Sequence, residues 1–111
     1  MKVSIDILEE YLHERYGGWA KEEGLFMKLV EEMGEIAEIL NMRSRRKSAK
    51  FEDLQAQLGT ELADLIHYAV AIAAINNLDL NEIILQKDKK ASIKYHHDTN
   101  LEKFIQSKEQ L

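Results

Sequence analysis

Cysteine and proline are both absent from this 111-residue chain. Without cysteine there is no disulfide framework and no thiolate zinc site. Without proline, with only five glycines and no β-branched alternation, nothing in the composition competes with helix. An excess of basic residues is lacking too. Lys and Arg number 15 against 20 Asp and Glu, a formal charge of −5. A general nucleic-acid binder rewards a basic face, so this chain reads as a poor one. Met1 to Asp6 has no apolar core of the kind a signal peptide carries. The longest uninterrupted apolar run, Ala69 to Ile75, is far short of a membrane span. No repeat of solenoid period is visible. We expect a soluble, cytoplasmic protein with no membrane or nucleic-acid partner.

Apolar residues at 45% and charged residues at 32% give an ordinary globular balance, and the length suits one domain spanning 1–111. The first helix is expected from Val3 to about Tyr16, with Ile5, Leu8 and Leu12 on one face and Gly17-Gly18 as its stop. A second runs from about Glu22 to Arg43. Its buried stripe is read as Leu25, Leu29, Met33, Ile36, Ala37 and Leu40. Arg43 to Lys50 reads as a polar, basic loop. The third helix extends from about Phe51 to Asn76 and carries Leu54, Leu58, Leu62, Leu65, Ile66, Ala69, Ile72 and Ala73. Its end past Ala69 is apolar nearly all round, which argues for deep burial or a subunit contact. Asn76-Asn77 breaks it. Asp79, with Glu82 three residues on, opens a fourth helix in the manner of a capping box. That helix reaches about Tyr95, and a short one covers Asn100 to Lys108. The class is all-α: a bundle of four main helices plus a short C-terminal helix, with the second and third antiparallel.

Two pairs of acids break the expected patterning. Glu32 and Glu35 are three apart on the second helix, and Glu61 and Asp64 repeat the spacing on the third. Each pair therefore projects from one face, and each is flanked by apolar residues. If the helices pair through their apolar stripes, the four acids meet across the seam. Like charges at that range repel, and burial penalises each ionised form. Either the acids take up protons or a cation neutralises them. Magnesium typically uses a few carboxylates together with substrate phosphates. Ordinary surface charge is the competing reading. Against it, no Lys or Arg follows any of the four at i+4, where Ile36, Ile39, Leu65 and Tyr68 stand instead.

These residues resemble a family. The run Leu29-Val30-Glu31-Glu32-Met33-Gly34-Glu35-Ile36-Ala37-Glu38, followed by Glu61-Leu62-Ala63-Asp64-Leu65-Ile66, is similar to the MazG-like pyrophosphohydrolases of the all-α nucleoside triphosphate pyrophosphatase superfamily. Its pattern is Glu-x-x-Glu, a gap, then Glu-x-x-Asp. Gly34 and the Leu78-Asp79-Leu80 opening also fit, and the likeness covers roughly residues 5 to 95. The resemblance implies hydrolysis of a nucleoside triphosphate to monophosphate and pyrophosphate. It implies Mg2+ (Mn2+ as a substitute) on Glu32, Glu35, Glu61 and Asp64, and a homodimer or homotetramer. Glu31 is the first candidate for the general base and Glu38 the second. Many relatives place a Lys and then an Asn on the fourth helix. Lys87 matches, whereas the Asn position holds Ala91. Where relatives often carry an aromatic residue after the second helix, Met42 stands. Both departures bear on base contacts and leave the metal site untouched.

Lys87 and Lys90 are the candidate phosphate contacts, with Lys94 continuing the same face. Arg43, Arg45, Arg46, Lys47 and Lys50 either close over the phosphates or form a solvated loop. Trp19 is either a base-stacking residue or a packing anchor, and His67 reads as a core or interface residue. His96-His97 makes no site, because adjacent residues cannot both point inward from one helix face. Two other functions stand beside the leading one: a phosphoribosyl-ATP pyrophosphohydrolase, and a non-catalytic helical interaction module.

Overall fold

The computed structural model describes residues 1–18, 21–45 and 51–109. Among them are five helices and no strand: α1 (Ile5–Tyr16), α2 (Glu22–Arg45), α3 (Phe51–Ile75), α4 (Leu80–Lys94) and α5 (Leu101–Glu109). The all-α expectation holds. One boundary moves further along the basic stretch: α2, expected to end at about Arg43, continues through Arg45, so Ser44 and Arg45 belong to its last turn rather than to a loop. Cations there face the negative end of the helix dipole, which favours continuing the helix. Arg46 to Lys50 lie outside the described residues.

The helix ends follow from local chemistry. The Ser4 hydroxyl accepts the Ile7 N–H at 3.2 Å and caps α1. Gly17 closes that helix by donating its N–H to the His13 carbonyl at 2.7 Å, so tightly that a Cβ on Gly17 would sit 2.4 Å from that oxygen. Gly18 continues at φ 97°, a backbone setting that glycine reaches without strain. At the end of α3, Asn77 takes φ 54°, Leu78 N–H reaches back to Ala73 O at 3.1 Å, and Asn77 N–H reaches Ala74 O at 3.1 Å. That is the paired-bond stop of a Schellman motif, with Asn in the left-handed position. The Asp79 carboxylate then accepts the Glu82 N–H at 3.1 Å, as expected.

The chain divides into two compact units, Met1–Leu78 and Asp79–Leu111. In the first, α3 packs against both α1 and α2. The core contains Leu12 from α1, Leu25 and Ile39 from α2, and Leu54, Val70, Ala71, Ala73 and Ala74 from α3. Helices α2 and α3 run antiparallel. Asn76 Nδ2, just past the end of α3, donates to Glu22 Oε1 at the start of α2 at 2.7 Å, while the acids meet midway along both. In the second unit, α4 and α5 form a hairpin. The Asp88 carboxylate accepts the Leu101 N–H at 2.6 Å, and Lys89 pairs with Glu102 at 2.7 Å.

The stripe on α2 is rotated from the one read in the sequence. Leu25 and Ile39 are buried, Leu29 and Ile36 half-buried, but Met33 and Leu40 are 55% and 47% exposed, and Ala37 is exposed too. The inward face carries Leu25, Leu29, Glu32, Ile36 and Ile39, so a carboxylate occupies a core position. On α3, Leu62 and Ile66 point outward as well. The cause is that α2 has a second apolar series, Phe26, Val30, Met33, Ala37 and Leu40, at equally helical spacing. Periodicity alone cannot rank two such faces. By length and composition Asp53–Ile75 would pass for a membrane span. Glu61 and Asp64 stand in that stretch, where lipid would penalise them and the acids of α2 instead receive them.

Leu12 is fully buried. Leu12→Ala should destabilise the chain by about 2–5 kcal/mol, since little can collapse into the space between α1 and α3. Urea unfolding of the two proteins measures the difference.

Candidate metal centre

The rotation of α2 creates the site. Glu32 is 6% exposed, and its carboxylate lies in the seam with those of Glu61 and Asp64 from α3. One oxygen from each of the three falls within 4.8 Å of the others. One turn on from Glu32, Glu35 is half-buried and close enough to Glu61 to interact with it directly. All four acids singled out in the sequence therefore converge.

Their electrostatics show what the arrangement costs. The Glu61 carboxyl is pushed from the ordinary 4.5 up to about 8. The chief cause is hydrogen bonding to Glu32, then to Glu35; burial and the repulsion of the same two neighbours add to it. At neutral pH the metal-free site thus keeps a proton on Glu61, held between the acids of α2. That shared proton apart, no donor group reaches Glu32 Oε2 or Glu61 Oε2, and both are sealed from solvent. Buried oxygens seldom go unpaired in native proteins, and those that do call for an explanation such as an ion. An all-oxygen donor set with orphaned carboxylate atoms fits a hard divalent cation. Glu32, Glu61 and Asp64 would hold it, with Glu35 alongside.

The remaining candidates are placed less uniformly. Glu31 is exposed and its carboxylate pairs with Lys28 at 3.1 Å. Glu38 is exposed one turn beyond Glu35. Lys87 and Lys90 are exposed on α4, lining a shallow cavity of about 280 Å³ with Glu82, Ile83 and Gln86 inside the second unit. Trp19 lies outside the described residues. His67 is half-buried and bound to the Tyr16 hydroxyl at 2.7 Å, which ties the end of α1 to α3. Burial, then Arg15, lowers its pKa against an opposing pull from Asp64. It is a packing histidine whose charged form burial disfavours.

Lys28 is a cation that spacing of i+4 from each acid does not reveal. It stands four residues before Glu32, on the same face one turn away. Glu31 raises the Lys28 pKa most, and Tyr68 and Glu32 add to that pull.

The raised Glu61 pKa fixes a pH dependence. Below about pH 4.5 both folded and unfolded chains hold the proton, and the stabilising contribution is complete. Between there and about 8 only the folded chain holds it, so stability falls as pH rises through that window. Urea titrations of metal-free protein should show this decline, and Glu61→Gln should flatten it. Magnesium at ~100 times its Kd should restore about 2.7 kcal/mol. A metal-free stability independent of pH across the window would exclude the shared proton.

The chain can now be compared with known proteins. Residues 20–99 match the family model of the MazG nucleotide pyrophosphohydrolase domain. No curated protein matches the chain. Among solved structures, the crystal structure of iMazG from Vibrio DAT 722, as Ntag-iMazG, is similar at a TM-score of 0.63 and 26% identity, covering 84% of this chain and 98% of that one. The family match embraces all four acids and the helices that carry them, and the chain belongs to the MazG nucleotide pyrophosphohydrolase family.

Proposed function

We propose that this protein hydrolyses a nucleoside triphosphate to the monophosphate and pyrophosphate, with magnesium held by Glu32, Glu35, Glu61 and Asp64. The observation that carries the reading is the buried meeting of Glu32, Glu61 and Asp64 with two orphaned oxygens. Surface charge does not explain acids drawn into a seam at that cost. When bound, the metal offsets phosphate charge and acidifies a coordinated water.

The residues of the chain do the rest. Glu32 and Glu61, anchored in packed helices, fix the donors before any ligand arrives, and preorganisation of this kind favours the transition state over water. Glu31 is the first candidate to take the proton from the attacking water and Glu38 the second, because both flank the α2 ligands and reach solvent. Lys87 and Lys90 are the proposed phosphate contacts of the second unit, and Trp19 a base contact. Cytoplasmic localisation belongs to the same reading. So does self-association, in which the outward series Val30, Met33 and Leu40 of α2 with Leu62 and Ile66 of α3 is covered by a second copy. Contiguous exposed apolar residues of this kind favour such cover.

A panel of nucleoside triphosphates with magnesium tests the chemistry. Pyrophosphate should appear with at least one of them. Glu35→Gln or Asp64→Asn should lower turnover by ~100-fold or more, the upper end of what removing even an outer partner costs. Release of single phosphate alone, or no turnover on any nucleotide, would overturn the assignment. Sedimentation measures assembly: wild type should run as a dimer or tetramer and Met33→Glu/Ile66→Lys as a smaller species. A wild-type monomer at high concentration contradicts that part.

A further inference from the structure

Apart from Arg43 and Arg45 in the last turn of α2, the two helices that bear the acids are almost without positive charge. From Glu22 to Met42, and again from Phe51 to Ile75, Lys28 is the only lysine or arginine. It is placed where such a charge would matter. Side chains on a helix lean toward its N-terminus, so the Glu32 carboxylate leans over the turn that carries Lys28. From there the ammonium group feels the pull of Glu32 on its own helix. Its partner Glu31, 3.1 Å away, is the residue proposed above as the base. Both members of the pair remain about half open, at 48% and 53% side-chain exposure. An exposed ion pair of this sort is weak, so exchanging one partner for another costs little.

We propose that Lys28 is a phosphate-contacting cation of this centre in addition to Lys87 and Lys90: its ammonium leaves Glu31 for the pyrophosphate half of a bound triphosphate, which frees Glu31 to receive a proton. The inference rests on the pyrophosphohydrolase reading and assigns one of its parts. As the water oxygen bonds to the α-phosphorus, the bond from that phosphorus to the bridging oxygen breaks, and its electron pair leaves with pyrophosphate. The water proton passes to Glu31. Lys28 stays protonated throughout, beside the charge that collects on the leaving group. The device links substrate to base, because Glu31 is occupied by Lys28 until a polyanion draws the lysine away.

Calorimetry with inorganic pyrophosphate and magnesium tests the contact without relying on turnover. Lys28→Ala should weaken pyrophosphate binding by ~10-fold or more, the worth of one charge-assisted hydrogen bond. Lys28→Arg should hold it within ~3-fold. Magnesium alone should bind Lys28→Ala as well as wild type or better, because a nearby positive charge has gone. Glu31→Gln should keep or tighten pyrophosphate binding while kcat falls. Wild-type pyrophosphate affinity in Lys28→Ala would overturn the proposal. Equal loss of magnesium and pyrophosphate binding would overturn it too, since that marks a general disturbance of the helix. Wild type that fails to bind pyrophosphate with magnesium also rejects it. If Lys28→Ala behaves as expected but no nucleotide yields pyrophosphate, the Lys28 contact stands and the reaction assignment fails.

Discussion

Mutual repulsion among carboxylates in the α2–α3 seam is the constraint on which the rest of the structure turns. Glu32 occupies a position that a hydrophobic residue would fill in an ordinary antiparallel pair, and Glu61 meets it from the other side. Left ionised, such a pair would drive the helices apart. The metal-free chain avoids this by keeping a proton on Glu61, whose pKa stands at about 8. The helices are held together around the acids by Leu25 and Ile39 on α2 and by Leu54 and the Val70–Ala74 stretch on α3. Packing therefore sustains an electrostatic arrangement that would not assemble by itself, which is the usual way a fold maintains a strained functional centre.

That division of labour extends to α1. Leu12 fills the core beside α3, and the Tyr16–His67 hydrogen bond fixes the end of α1 one turn beyond Asp64. Burial disfavours the charged form of that histidine, in a region already crowded with acids. Lys28 is the counterweight on the open side. It sits close enough to influence Glu32, yet is tethered to Glu31 and still reachable by a ligand.

Much of this was legible in the sequence because the signals were local. Gly17-Gly18, Asn76-Asn77 and the Asp79–Glu82 pair mark helix ends through backbone chemistry that needs no distant partner. The four acids were legible through spacing, since three residues is nearly one helical turn. The rotational setting of α2 was not. Its two apolar series have the same period, and the correct one contains Glu32, which any hydrophobic ranking turns outward. Met33 and Leu40 were consequently read as core and found exposed. Lys28 was less legible for a related reason: it precedes the acids, and what marks it is being the sole Lys or Arg across two long stretches of helix.

A cation and the Glu61 proton would compete for one set of oxygens. Calorimetric titration of magnesium at pH 7, repeated in buffers of different ionisation enthalpy, counts the protons exchanged. Release on the order of one proton per site is expected, because the bound ion requires ionised ligands. In Glu61→Gln that release should vanish. Binding with no proton release in the wild type would contradict the shared-proton centre directly.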